Sequence, residues 1–165
     1  MSKKLFVGYA TKTGSTKETA EAIAKTLKDK GFAVDVSPFS DAGDLDGYDG
    51  FLLGAPVNGM AWHPDALSFV RANAGALAAK PTAYFLLSIA YGVGRPSIKA
   101  VIPARLDPAA ALVAPVAAAC FGGLMAADPP LILRLAFGIK KGSPRDSRNW
   151  DDVRSFSEDV ARKMA

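Results

Sequence analysis

A single α/β domain, with a parallel sheet covered by helices on both faces, is the fold class this sequence predicts. Two patterns predict it: short apolar runs alternate with amphipathic helical stretches, and most of those runs are apolar throughout, as strands buried on both sides are. The third observation is composition, since 165 residues with 50% apolar and 22% charged side chains suit one core. No repeat, low-complexity tract or Ser/Gly-rich linker divides residues 1–165, so one domain is expected over the whole chain.

The first strand is expected over residues 5–10, followed by small polar residues and a helix with Ala20, Ile23, Ala24 and Leu27 on one face. Ser15 and Glu18 match a capping box at the start of that helix, and Gly31 stops it. Residues 32–36 alternate like an edge strand, whereas 49–55 read as a strand buried on both faces. After Pro56 a glycine-containing loop leads to a helix begun by Trp62, with Ala66, Leu67, Phe69 and Val70 inward and Gly75 near its end. A fourth strand is expected over 82–90, and a fifth within 111–121 after Pro115. Between them 97–106 reads as a weak helix that Pro103 weakens further. Asn149 caps the last helix, Asp151 and Asp152 suit its positive end, and Trp150, Val153, Phe156, Val160 and Met164 are spaced for one buried face.

Residues 122–149 separate the last strand from the last helix by far more chain than a crossover needs, and loops of that length are usually functional or disordered. Within them 129–142 is apolar on nearly every side and ends in Lys140 and Lys141. Such a helix packs into its own domain, forms a homodimer interface, or lies at an anionic bilayer.

Several function classes drop out. Cys120 is the only cysteine, which excludes a disulfide framework and a cysteine-rich zinc site and suits a reducing compartment; in an apolar strand it reads as core. His63 is the only histidine and reads as a capping or solvated residue, so no Ser-His-Asp set can be assembled. No cluster has metal-ligand spacing, and no nucleic-acid partner is expected. The N-terminus has too few apolar residues for a signal peptide, and the uncharged run 108–127 is alanine-rich and broken by Pro115, Gly122 and Gly123. A cytoplasmic protein is expected. Twenty Lys and Arg against sixteen Asp and Glu leave a charge of +4, concentrated at Arg134, Lys140, Lys141, Arg145 and Arg148, which favours anionic ligands or surfaces.

Between the first strand and helix lie Thr11, Lys12, Thr13, Gly14, Ser15 and Thr16, whose hydroxyls and N–H groups stand at the positive end of a helix dipole. That placement suits a phosphate. The loop has neither GxGxxG nor the Walker spacing, which favours a mononucleotide.

Thr11, Thr13, Gly14 and Thr16 resemble the phosphate loop of the flavodoxin family, and the resemblance extends over essentially the whole chain. It implies a three-layer sandwich with a five-stranded parallel sheet of order 2-1-3-4-5, and FMN as cofactor. Pro56, Val57, Asn58, Gly59, Met60 and Trp62 look like the second flavin-contacting loop; Ser88, Ile89, Ala90, Tyr91, Gly92 and Val93 look like the third. Trp62 and Tyr91 are then the candidate stacking aromatics.

Gly122-Gly123, the apolar and basic 131–141 stretch and the Asp146 to Asp151 sequence around Trp150 resemble the menaquinone-dependent protoporphyrinogen IX dehydrogenases, flavodoxin-like enzymes of haem synthesis. That resemblance implies a tetrapyrrole substrate, a quinone acceptor and a peripheral place at the inner face of the membrane. Arg95, Arg134, Lys140, Lys141 and Arg145 would meet substrate propionates or lipid phosphates, or simply face solvent. A soluble electron carrier with a redox partner protein, and a cofactor-free binding protein, are the alternatives.

Overall fold

Strands β1 (Lys4–Tyr9), β3 (Gly50–Asn58) and β5 (Thr82–Ser88) are built almost wholly of residues that bury on both sides of a sheet, and they form its centre. The computed structural model, which describes residues 2–165, places β2 (Ala33–Pro38) at one edge and β6 (Ala117–Gly122) at the other. All five pair in parallel in the order β2-β1-β3-β5-β6, while the two-residue β4 (Ala61–Trp62) folds back on β3. With β4 set aside, this is the 2-1-3-4-5 order.

Successive strand residues point to opposite faces, which divides the core in two. Leu5, Val7, Leu52, Phe85 and Leu87 pack beneath α1 (Ser15–Asp29) and α8 (Trp150–Met164). Phe6, Phe51, Leu53, Tyr84 and Leu86 face α2 (Pro64–Ala72) and α3 (Ala74–Ala78) on the other side. There too lie residues of the chain from α4 (Ile89–Val93) through α5 (Pro96–Val101) to α6 (Asp107–Leu112). The segment after β6 carries one further helix, α7 (Leu131–Phe137).

Several expectations are corrected by local chemistry. The α1 N-cap is Gly14, not Ser15: Gly14 takes a left-handed φ of 86° and its carbonyl accepts the Glu18 N–H at 3.1 Å, so Ser15 is already helical. The Ser15 hydroxyl instead lies 3.2 Å from that of Thr13, and the Glu18 carboxylate pairs with Arg148. No capping box forms. The chain does not loop after Pro56, because β3 continues to Asn58 and turns through Gly59 and Met60, with φ of 58° and 62°, into β4. Trp62 is therefore a strand residue. Pro64 begins α2, and His63 caps it by accepting the Asp65 N–H at Nδ1, 3.1 Å away.

The fourth strand stops at Ser88, whose hydroxyl accepts the Tyr91 N–H at 3.2 Å and turns Ile89–Val93 into helix. Gly75 lies inside α3 rather than ending α2, and Pro103 divides the expected 97–106 helix so that α5 ends at Val101. Asn149 does cap α8, accepting from Asp151 and Asp152, but Trp150 is 43% exposed and packs under the Arg148 guanidinium instead of entering the core. Cys120 is half-buried on an edge strand, where burial pushes its thiol up to about 11.

Gly54 pairs with Phe85 across β3 and β5, and a methyl group there would run into the Phe85 ring. Gly54→Ala should therefore lower stability by about 1–3 kcal/mol. The urea midpoint would fall at unchanged m-value, and Phe85→Leu in the same chain would recover part of the loss.

Candidate functional site

Three connections leave the carboxyl ends of β1, β3 and β5, beside the point where chain order reverses between β1 and β3, and they converge on one cavity of about 400 Å³. Lys12, Thr13 and Ser15 line it from the first connection. Pro56, Val57, Gly59 and Met60 line it from the β3–β4 hairpin, and Ser88, Ile89 and Ala90 from the turn after β5. Ten of the expected site residues thus share one wall.

The first connection is shaped for an anion. The Gly14 N–H donates to the Thr11 hydroxyl at 2.9 Å, which folds the loop over the α1 N-terminus and leaves first-turn N–H groups without helical partners. Thr16 is wholly buried, yet its Oγ1 has no hydrogen-bond partner. A buried hydroxyl without a partner is costly, so its presence at a helix start is what an absent acceptor would explain.

The hairpin is held from behind. Arg105 donates through Nη1 to the Met60 carbonyl at 3.0 Å, and the Trp62 Nε1 donates to the Ala55 carbonyl at 3.2 Å. Trp62 is 4% exposed and packs edge-on against Tyr84 at 5.5 Å, so it braces the hairpin from the core and is no wall of the cavity. Tyr91 also lies off the cavity, beneath Lys99 at 4.9 Å, as do Asn58, Gly92 and Val93.

The rest of the wall comes from the segment after β6. Gly123, Leu124, Pro129, Leu133, Phe137 and Ile139 all line the cavity, and sequence reasoning did not assign them there. The length and apolarity of 122–149 marked the segment, but not where it folds. Its base is stapled shut: Ser147 exchanges backbone and hydroxyl bonds with Gly123, and the Met125 N–H donates to the Arg145 carbonyl at 2.7 Å. A side chain on Gly122 would strike Ser147, so the end of β6 and the 146–148 stretch approach this closely only because that residue is glycine. At the far end, Arg95 donates to the carbonyls of Leu135 and Ala136 and, through its N–H, to that of Phe137. Arg145 pairs with Asp128 at 3.1 Å. Both arginines are thus engaged in structure rather than free for an anionic ligand.

Arg148 ties this segment to the phosphate loop's helix. Its side chain is 4% exposed and contacts Asp146 and Glu18 at 2.8 Å each and the Ser15 carbonyl at 3.2 Å. The hydrogen bond from Arg148 holds the Asp146 carboxyl below its ordinary value of 3.8. A lowered folded-state value stabilises at pH above 3.8 and is lost as pH falls through the folded value. Acidification below that point should lower the protection factors of amides in residues 123–147, measured against intrinsic exchange at the same pH, before the sheet unfolds, and Asp146→Asn should show the lower protection already at neutral pH.

The family model described as flavodoxin domain matches residues 6–126. No curated protein sequence matches the chain. Among solved structures, a short-chain flavodoxin associated with a non-canonical PDU bacterial microcompartment is 15% identical, with a TM-score of 0.65 over 100% of both chains. A Streptococcus pneumoniae flavodoxin is 17% identical with a TM-score of 0.63, covering 97% of this chain and 99% of its own. Flavodoxin 1 from Bacillus cereus is 17% identical with a TM-score of 0.62, covering 98% and 99%.

Proposed function

The chain belongs to the flavodoxin domain family, and from that premise we propose that it is an FMN-dependent dehydrogenase that takes hydrogen from a reduced tetrapyrrole and passes it to a quinone. The cofactor is FMN, as family membership implies, and the residues present fit it. Thr13, Ser15, the orphaned Thr16 Oγ1 and the first-turn N–H groups of α1 would hold its phosphate with neutral donors, with Lys12 at the rim. The Gly59–Met60 turn and Ser88, Ile89 and Ala90 would bound the ring. When bound, FMN supplies hydride and single-electron transfer, while the protein contributes orientation and a dry pocket.

The observation that carries the dehydrogenase reading is the apolar wall of Leu124, Leu133, Phe137 and Ile139. A carrier that passes electrons across a protein surface needs no such wall. Apolar side chains beside the ring space would exclude water and receive a flat apolar molecule such as a quinone or tetrapyrrole.

Two measurements separate the layers of this reading. Thr16→Val should weaken FMN binding by about tenfold to a hundredfold, the equivalent of a hydrogen bond to a charged group. The same variant's apo form should unfold at an equal or higher urea concentration, because the unpartnered hydroxyl is gone. Binding of FMN by neither protein would sink the cofactor assignment. With protoporphyrinogen IX and a naphthoquinone, the FMN-loaded protein should generate porphyrin fluorescence, and Phe137→Ala should slow it by about tenfold. A protein that binds and cycles FMN without oxidising the tetrapyrrole is a carrier.

A further inference from the structure

The two edges of the sheet are guarded differently. At one, β2 carries Asp35, which is bonded to the Lys4 ammonium at 2.9 Å and to the Tyr48 hydroxyl at 2.7 Å, and the strand ends at Pro38. Charge and proline are devices that stop an exposed strand from pairing with another. At the other edge β6 has neither, and no charged residue occurs anywhere from 108 to 127. β6 pairs only with β5, and among the described residues no other hydrogen bond reaches 117–121, so its outer row of N–H and C=O groups is open.

That open row floors a groove of about 690 Å³. Leu106 and Ala110 flank it on one side, Asp152 and Ser155 of α8 flank it on the other, and Ala118 and Cys120 lie along its floor. Leu112, at the end of α6, and Val116, just before β6, are both exposed.

An open strand edge is completed by another strand, and the charges beside the groove fix which one. Asp152, Ser155, Asp159 and Arg162 recur at helical spacing along one face of α8, which begins with Asp151 and Asp152 and ends with Arg162 and Lys163. A two-fold axis through β6 sets two α8 helices side by side in opposite directions, so the acidic start of each meets the basic end of the other. The lengths agree, since six residues of β6 extend about 20 Å and fifteen of α8 about 22 Å. Within the uncharged 108–127 run no like charges are opposed.

We propose that β6 pairs antiparallel with β6 of a second copy, joining the two sheets into one. The two cavities, at the carboxyl ends of the strands, then open at opposite ends of the dimer, and both stay accessible. The pairing does not rest on the FMN assignment.

Sedimentation equilibrium of the full chain should show a dimer that dissociates on dilution. Ala118→Lys, which places a charge on the open edge, should weaken it by about tenfold or more. Asp152→Lys and Arg162→Glu should each weaken it by about threefold to tenfold, and the two together in one chain should restore it, because the exchanged charges again meet across the axis. These side chains are exposed, so circular dichroism and FMN affinity should not change. In hydrogen exchange, amides within 117–121 should gain protection as the protein concentration rises. A monomer at about 100 µM, far above the micromolar weak limit of standard interfaces, overturns the proposal. So does a dimer that Ala118→Lys leaves intact, that the double exchange fails to restore, or that forms without protecting 117–121.

Discussion

Burial of β3 and β5 on both faces is the constraint from which the rest of this molecule follows. A parallel strand with no solvent face needs helices above and below it, and each crossover must then leave from the carboxyl edge of the sheet. Phe85 and Leu87 go to the α1/α8 side while Tyr84 and Leu86 go to the other, so a one-residue slip of β5 would exchange the two cores. Close packing at Gly54 against Phe85 makes that register specific. Because the connections from β1, β3 and β5 emerge together, the site is a consequence of topology before any side chain is chosen for chemistry.

What distinguishes this chain is how the segment after β6 is fastened over that edge. Three fastenings act: the Gly123–Ser147 staple, the Arg95 hydrogen bonds at the end of α7, and Arg148 between Asp146 and Glu18. The third matters most for function, because Glu18 and Ser15 belong to the first turn of the helix that would bear a phosphate. Arg148 is nearly buried, so its charge needs both carboxylates, and removing either would leave an ion poorly compensated. Loop and covering segment are thus mechanically linked. The cost of this arrangement is an α7 that buries one face and leaves the other to solvent or to a partner.

Local signals were legible wherever a residue's own chemistry decides its conformation. The one-faced spacing of Ala20, Ile23, Ala24 and Leu27, the Asn149 cap and the all-apolar β3 and β5 are of this kind. Errors arose where two local solutions compete. Ser15 could have capped α1, but Gly14 reaches the left-handed conformation at no steric cost and takes the cap one residue earlier. Ser88 could have continued a strand, but its hydroxyl found the Tyr91 N–H and began a helical turn. Trp62 looked like a ring-stacking aromatic beside a loop, yet the hairpin turn at Gly59 and Met60 sends it back into the core against Tyr84.

The sequence by itself determined the strand and helix alternation and the hydroxyl-rich loop at a helix start, because those depend on periodicity and on residues next to one another in the chain. It also marked 122–149 as longer and more apolar than a crossover needs. Only the tertiary structure decided that Leu133, Phe137 and Ile139 wall the same cavity as Pro56 and Ser88, and that Thr16 Oγ1 is buried without a partner. Those facts depend on contacts between residues far apart in the chain. Arg148, 133 positions from the Ser15 carbonyl that it contacts, shows why: its role is set by where two distant segments meet, and no local pattern encodes that meeting.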